Sequence, residues 1–442
     1  MQKFDCIIIG AGPGGYNLAA GMAAAGKHTL LIESDKAGGT CLNRGCIPTK
    51  ALRRSARLFQ ECAGASAFGV TCPEVSADFG RIHERVENVV SEIRQGVEIL
   101  LSGVERTQGV ARFISADTVE VAGERFTAPL IVVATGSKPA MLPIEGAQLC
   151  MTSDDLLAAD HLPDSMVIVG GGVIGMEFAC ILAALGVGVT VIEYCKEILP
   201  PFDQEVAKRL RMLLKRKGVN IITSAAVKSV EKDGDRLLVS YEAKNKLQSV
   251  SASQVLMAVG RRPVVPEGLE AAGAELTPRG FLKVNEKYDT TLDGVKAIGD
   301  VNGLCLLAHA AEAQAHAVLH DEVYPMDCVP AVAFTDPECA MAGLTEEAAA
   351  AKGIAVKTGK AMFRANGYAM ALGEPEGFVK VIADAATGKV IGVHIIGPGA
   401  SELVAEGALA VKNGLTAADV CATIHAHPTL SETLAAACKA AL

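Results

Sequence analysis

The sequence predicts an α/β fold: two similar βαβ domains followed by a C-terminal α+β region. Three observations predict it. A glycine-rich turn between an apolar strand and a helical run occurs twice at one spacing; a similar closing segment follows each copy; and from about residue 330 the texture changes to a hairpin and an alanine-rich helix.

The first copy starts at Cys6 with CIII, continues through GAGPGG and an alanine-rich run, and ends in HTLLIE at Glu33. The second starts at Met166 with MVIV, continues through GGGVIG, and ends in VTVIE at Glu193. Gly10 to Glu33 and Gly170 to Glu193 are both 23 positions. In such a unit the first glycine (Gly10, Gly170) makes the tight turn and the second (Gly12, Gly172) lets backbone approach a pyrophosphate. The third (Gly15, Gly175) lets helix pack on strand. The phosphates meet the positive end of the helix dipole. Glu33 and Glu193, closing the second strand of each unit, accept the ribose hydroxyls of an adenosine and repel a ribose 2′-phosphate. A single glycine fingerprint is weak evidence. Two copies with the acid in register predict two Rossmann-like domains, each binding a dinucleotide.

Both copies also close alike. LIVVATGSKP (130–139) and VLMAVGRRP (255–263) are apolar strands ending in Ala-x-Gly-x-x-Pro, whose Gly136 and Gly260 allow close passage of the chain beside a ligand. AIGDVNG (297–303) puts Asp300 at the end of a further short apolar strand, before a helical run from Leu307. A carboxylate there suits a polyol such as a ribityl chain, and it equally suits an ordinary helix N-terminal region. Residues 80–101 carry apolar side chains at 82, 86, 89, 93, 97 and 100, the period of a packed amphipathic helix. FVKVIADAATGKVIGVHII (378–396) reads as a hairpin turning at Thr387-Gly388, with a helix from about 400.

Length and composition set the frame. At roughly 150 residues per domain, 442 residues make about three domains. With 50% hydrophobic and 21% charged residues the chain is of soluble globular type. The net charge of -9 and the absence of any Lys/Arg block argue against nucleic acid. The uncharged stretch 7–26 is not read as a signal peptide or membrane span, because Asp5 precedes it and six glycines, Pro13 and Asn17 interrupt it. A cytoplasmic location is therefore expected, with most of the 13 cysteines free thiols.

GGTCLNRGCIPTK (38–50) holds Cys41 and Cys46 five positions apart. As metal ligands they would need further Cys or His at ligand spacing, and the other cysteines are scattered singly. As core residues they would need apolar neighbours, yet Gly38, Gly39, Thr40, Asn43, Arg44 and Gly45 surround them. The remaining reading is a redox pair. The run from Ile47 looks helical, so Cys46 lies near a positive helix end that favours thiolate, and Arg44 and Lys50 add positive charge. Such a pair opens and closes a disulfide reversibly.

GGTCLNRGCIPTK, GAGPGG with Glu33, GGGVIGMEF, AIGDV and HAHPTLSE, in this order over essentially the whole chain, closely resemble the pyridine nucleotide-disulfide oxidoreductase family. Within it they resemble the enzymes that oxidise dihydrolipoyl groups with NAD+. The resemblance implies FAD in the first site, NAD in the second, and a C-terminal interface domain that makes a homodimer. The expected divisions are 1–143 (first part of the FAD domain), 144–263 (NAD domain), 264–327 (return to the FAD or central domain) and 328–442 (interface domain). Implied cofactor contacts are Gly10, Gly12, Gly15, Glu33, Gly39, Thr40, Lys50, Thr135, Gly136, Asp300 and Ala308, with Gly170, Gly172, Ile174, Gly175, Glu193 and Gly260 in the second copy. No metal is expected.

The C-terminal TIHAHPTLSETLAAACKAAL admits a plain reading, a Thr429/Glu432 capping box with His427 just before it. The resemblance instead implies that His427 and Glu432 are the acid/base pair that reaches the partner subunit's active site. It also implies that Lys50 and Glu177 form an ion pair beside the flavin. The implied partner is a lipoyl-bearing carrier, the E2 component of a 2-oxo acid dehydrogenase complex or the glycine-cleavage H protein, with no membrane. Two other readings stand against this one. A glutathione reductase-like enzyme shares the cysteine loop but typically uses NADP, whereas Gly175, Glu193 and Tyr194 favour NAD. A non-catalytic flavoprotein subunit would not require Cys41, Cys46, His427 and Glu432.

Overall fold

The computed structural model describes residues 2–442 and divides into two compact units. The first comprises residues up to Ala140, Ser153–His161 and Gly260–Met326; the second comprises Met141–Thr152, Leu162–Val259 and Asp327–Leu442. The stretch 264–327 thus folds with the N-terminal part, and 328–442 shares a compact unit with most of 144–263.

A five-stranded parallel sheet organises the first unit, in the order Val295–Ala297, Leu130–Val133, Cys6–Ile9, Thr29–Glu33, Glu105–Gln108. Its central strands are apolar at every position because both faces are covered. Ile7, Ile9, Leu30, Ile32, Ile131 and Val133 pack with Phe113, Val119 and Phe126 of a second, smaller sheet. Cys6, Ile8, Leu31 and Val132 point the other way, into a core with Leu18, Val90, Val97 and Ala315 from three helices. Those helices are Pro13–Ala24, Phe79–Leu100 and Ala308–His320.

The helix expected at 80–101 spans Phe79–Leu100, with Asp78 accepting a hydrogen bond from the Arg81 N–H at 3.1 Å as its N-cap. Its buried stripe differs from the expected one. Val86, Val90 and Val97 are inside, whereas Ile93 and Leu100 are 42% and 49% exposed. The eight apolar residues at 82–100 offered two overlapping stripes, and the neighbours chose. Arg94, one residue past Ile93, lies on the packed side and donates to Asn43 Oδ1 at 2.8 Å.

The second unit contains a four-stranded parallel sheet, Asn220–Ile222, Gly188–Ile192, Ser165–Val169, Gln254–Met257, and an antiparallel three-stranded sheet over 225–252. The C-terminal α+β part is a five-stranded antiparallel sheet with the expected hairpin, Phe378–Asp384 and Val390–Gly397, at its centre. Gly388 turns the hairpin at φ 71°, while the Asp384 carboxylate accepts the N–H groups of Ala386 and Thr387, both at 2.8 Å. Helices Ala400–Asn413 and Glu432–Ala440 cover this sheet. Among the described residues, no helix is long and apolar enough to cross a membrane.

Lys380, in the hairpin strand, is 2% exposed and bonds Asp203 at 2.8 Å, Glu346 at 2.9 Å and Glu205 at 3.0 Å. Asp203 also N-caps the helix Gln204–Arg216. Burial alone would push the Asp203 and Glu205 carboxyls up, but lysine hydrogen bonds and charge bring both below their ordinary values. Burial likewise opposes the Lys380 charge, and its three carboxylate partners raise it above the ordinary lysine value. The carboxylate contribution is therefore complete above an unfolded pKa of about 4 and is lost as pH falls through the lowered folded values. The lysine contribution is complete below about 10.4 and is lost as pH rises through the raised folded value. Lys380→Met leaves Asp203 buried without its counter-charge. It should lower unfolding stability by about 3–5 kcal/mol at pH 7, with the deficit shrinking below pH ~4 as the carboxyls protonate. Calorimetry at both pH values checks this, and a deficit constant with pH would show that lost packing causes it.

Candidate functional site

The two glycine turns have the same geometry. Gly10 and Gly170 adopt φ 105° and 107°, and a Cβ on either would lie 2.4 Å from a carbonyl oxygen of the returning strand. A Cβ on Gly15 would sit 1.8 Å from the Gly10 oxygen, and one on Gly175 2.0 Å from the Gly170 oxygen, so helix and strand touch as only glycine allows. Gly12 and Gly172 behave differently. Each is the extended N-cap of its helix, Pro13–Ala24 or Val173–Ala184, with nothing within 4 Å of where a Cβ would be. That open space, at the positive end of each helix, fits a pyrophosphate.

The carboxylates are fixed at these turns. Glu33 Oε2 accepts the Ala11 N–H at 2.7 Å and Oε1 accepts Asp35 N–H at 2.8 Å. Glu193, buried, accepts Gly171 N–H and Cys195 N–H, both at 2.5 Å. Each carboxylate has lone pairs left for the two hydroxyls of a ribose. Ile174 lies in the first turn of the second unit's nucleotide helix, partly exposed.

In the first unit the remaining expected contacts converge on the same end of the sheet. Gly39 packs against the fingerprint turn, since its Cβ would be 2.6 Å from Gly12 Cα, and Thr40 follows it in the short helix Gly39–Arg44. Thr135 donates to Val264 O at 2.5 Å, and Gly136, at φ 68°, faces open space. The two Ala-x-Gly-x-x-Pro endings pair with each other, Ser137–Pro139 antiparallel to Arg261–Pro263, with Gly260 just before the second at φ 106°. Asp300 lies in the short turn Gly299–Asn302, and Ala308 opens the helix that follows.

The structure adds residues that sequence reasoning missed. Ser137 Oγ donates to Asp300 Oδ2 at 2.5 Å, Arg261 lies 3.8 Å from the same oxygen, and Arg261 in turn holds Ser137. Burial pushes the Asp300 carboxyl up, against the Ser137 hydrogen bond and the Arg261 charge. Both partners lie in the repeated closing segments, which was their one signal.

Cys41 lies in the short helix and Cys46 is the first residue of the long helix Cys46–Ala63, whose positive end it occupies. Both are free thiols. The Cys41 thiol hydrogen-bonds to Cys46, and that bond, burial and the charge of Cys46 push the Cys41 pKa up while Lys50, one turn along, opposes them. Arg44, which either lowers a cysteine pKa or faces solvent on the sequence alone, pairs through its guanidinium with the Asp35 carboxylate at the surface. Lys50 belongs to the first unit. Glu177, in the second, is 4% exposed and accepts the Phe334 N–H at 2.9 Å, a partner 157 residues away.

The Thr429/Glu432 capping box does not form. The last helix starts at Glu432 with Ser431 as its N-cap and no side-chain cap bond. Glu432 instead bridges backwards, accepting Thr429 N–H at 2.9 Å through Oε2 and contacting His427 Nδ1 at 2.9 Å through Oε1. The Thr429 bond and the His427 contact hold its carboxyl below the ordinary range. The His427 side chain is 79% exposed, with Nε2 on the side away from the carboxylate.

The chain matches the family described as pyridine nucleotide-disulphide oxidoreductase over residues 4–315, and that family's dimerisation domain over 329–438. It belongs to this family. The protein is accordingly an FAD-dependent, NAD-linked oxidoreductase and a homodimer. It is 38% identical to the dihydrolipoyl dehydrogenase of Geobacillus stearothermophilus, covering 99% of this chain and 96% of that one. With the enzyme of the same name from Thermus scotoductus it shares 40% over 100% and 98%. The solved HOCl-induced flavoprotein disulfide reductase RclA from Escherichia coli superposes with a TM-score of 0.88 at 28% identity, over 98% of this chain and 99% of that one.

The geometry of Glu193 yields a prediction for this family member. Glu193→Gln keeps an acceptor for the Gly171 N–H and removes the charge that repels a 2′-phosphate. The ratio of kcat/KM for NADP+ to that for NAD+ should rise about tenfold, equivalent to roughly 1.4 kcal/mol. An unchanged ratio would place the nicotinamide nucleotide's ribose elsewhere.

Proposed function

We infer that the protein is a dihydrolipoyl dehydrogenase, oxidising the dithiol of a dihydrolipoyl group to the cyclic disulfide while NAD+ becomes NADH. The observation that carries this is the end-to-end identity of 38–40% with curated enzymes of that name. The residues supply the chemistry. His427 takes the proton of one substrate thiol, with Glu432 orienting its ring and balancing the imidazolium charge. The thiolate attacks the Cys41 sulfur of the Cys41–Cys46 disulfide, that S–S bond breaks, and Cys46 leaves as thiolate at the positive helix end. The second substrate thiol then attacks the mixed disulfide, releasing the cyclic product and leaving the cysteine pair reduced. The hydrogen bond from Cys41 to Cys46 is suited to hold that reduced state.

FAD fits the first unit, held by Gly10, Gly12, Gly15, Glu33, Thr40, Thr135, Gly136, Asp300 and Ala308, with NAD held by Gly170, Gly172, Ile174, Gly175 and Glu193 in the second; Gly260 folds with the first unit. Bound FAD supplies two-electron transfer between the cysteine pair and the nicotinamide. Lys50 is proposed to lie beside it, and Glu177 beside the nicotinamide. The dihydrolipoyl group is proposed to arrive on a carrier protein in the cytoplasm, and His427 to serve the partner subunit's cysteine pair. Anaerobic turnover of the holoenzyme with dihydrolipoamide, comparing NAD+ with NADP+, tests the reading. Rapid NADH formation supports it. No dihydrolipoamide turnover, with NADPH reducing glutathione disulfide instead, would refute substrate and cofactor together.

A further inference from the structure

We propose that His316 and His320 form a two-ligand site for a divalent transition cation, of the Ni2+, Cu2+ or Zn2+ class, on the last turns of the helix Ala308–His320. The two histidines are four residues apart on one helix, so their side chains lie one above the other on the same face. Their ring centroids are 4.3 Å apart with the planes at 43°, and both residues are exposed. With metal–nitrogen bonds of about 2.1 Å and ring centres ~1 Å farther out, two adjacent ligands on one ion have centroids roughly 4.5 Å apart. The pair therefore needs almost no rearrangement to chelate.

The surroundings select which nitrogen would bind. His316 Nδ1 lies 3.3 Å from the Tyr324 hydroxyl and 3.8 Å from Glu322 Oε2, and the Tyr324 ring packs edge-on against the His316 ring. Tyr324 also donates its phenolic hydrogen to Glu322. A hydroxyl whose hydrogen goes to a carboxylate presents its lone pairs to Nδ1, so Nδ1 carries the proton and Nε2 is left bare. An outer carboxylate that fixes the tautomer of a ligating histidine is the arrangement that orients imidazoles on metals. The helix C-terminus adds its negative end beside the pair. Asp321 is engaged by Lys287 at 3.0 Å and is not a ligand. Among the described residues no group of three or more His, Cys, Asp or Glu could hold a metal, so water completes the coordination. Imidazole pairs prefer borderline cations, in the order Ni2+ below Cu2+ and Cu2+ above Zn2+. None of this draws on the dehydrogenase chemistry.

Ni2+ alone is the probe, titrated calorimetrically into the holoenzyme carrying Cys41→Ser and Cys46→Ser, so that the thiol pair does not compete. Parallel titrations use the same protein with His316→Ala, His320→Ala or Tyr324→Phe, and a His28→Ala control for another exposed histidine. FAD content and circular dichroism report folding. The parent should bind one Ni2+ per chain more than either His316→Ala or His320→Ala, with His28→Ala unchanged and Tyr324→Phe weakened about tenfold. Should both alanine variants, folded and yellow, bind Ni2+ as the parent does, or the parent bind none, the site does not exist.

Discussion

Cys41→Ser is expected to reduce NADH formation from dihydrolipoamide by about 10³-fold or more, because a serine hydroxyl forms no bond equivalent to the S–S linkage that accepts the substrate's electrons. Cys46→Ser should lose as much, since neither sulfur can make the disulfide alone. Both variants should keep their flavin: the turn that fits its pyrophosphate is built by Gly10, Gly12 and Gly15, and Gly39 packs against it through backbone. The two losses differ in origin. Removing Cys41 takes away the sulfur proposed to be attacked by the substrate and, in the reduced pair, the thiol hydrogen-bonded to Cys46. Removing Cys46 takes away the leaving group at the helix end. Steady-state kinetics with a flavin-to-protein ratio checks both, and either variant retaining a tenth of the activity would remove the pair from the mechanism.

His427→Ala should lower kcat/KM for dihydrolipoamide by about 10²–10⁴-fold, the range a positioned general base contributes. Glu432→Gln should cost less than His427→Ala, which removes the base itself, but it loses more than the charge that supports the imidazolium: its single carbonyl oxygen accepts from Thr429 N–H or from His427 Nδ1–H, not from both. The sign of the pH effect follows from the carboxyl. Its folded pKa is lowered, so its support for His427 is present above the ordinary carboxylate range and is lost only as pH falls through that lowered value. Glu432 therefore supplies no acid limb of kcat/KM near neutral pH, and any such limb in the parent should vanish in His427→Ala. A limb unchanged in His427→Ala would show that His427 is not the base. Because the ring is exposed and its packing role is small, thermal stability should change little, which separates chemistry from folding.

Much of this architecture was legible before any coordinates. The two fingerprints were readable because Gly10 and Gly170 turn at positive φ and a Cβ on Gly15 or Gly175 has nowhere to go, constraints that no other residue meets, while Gly12 and Gly172 leave open the space at the helix end. The hairpin at Gly388 and the helix after Ala400 were readable for the same kind of reason. The residues at 427–432 admitted two readings because a threonine and a glutamate at this spacing satisfy two geometries; the chain's path lets Glu432 take both the Thr429 N–H and His427 Nδ1, while Ser431 and not Thr429 is the N-cap. The partner of Arg44, Asp35, was not legible because charge in sequence does not say which group it meets.

By itself, then, the sequence determined the two dinucleotide units, the redox pair at a helix start, and the preference for an unphosphorylated ribose, all properties of a few adjacent residues. Tertiary structure alone decided which stripe of Phe79–Leu100 is buried, that Ser137 and Arg261 hold Asp300, that Glu177 meets Phe334, and that Lys380 gathers three carboxylates. Each of these depends on groups brought together from distant parts of the chain. Hydrophobic periodicity records which side of an element can be buried, whereas the partner on the other side is set by packing and by the need to satisfy buried polar groups.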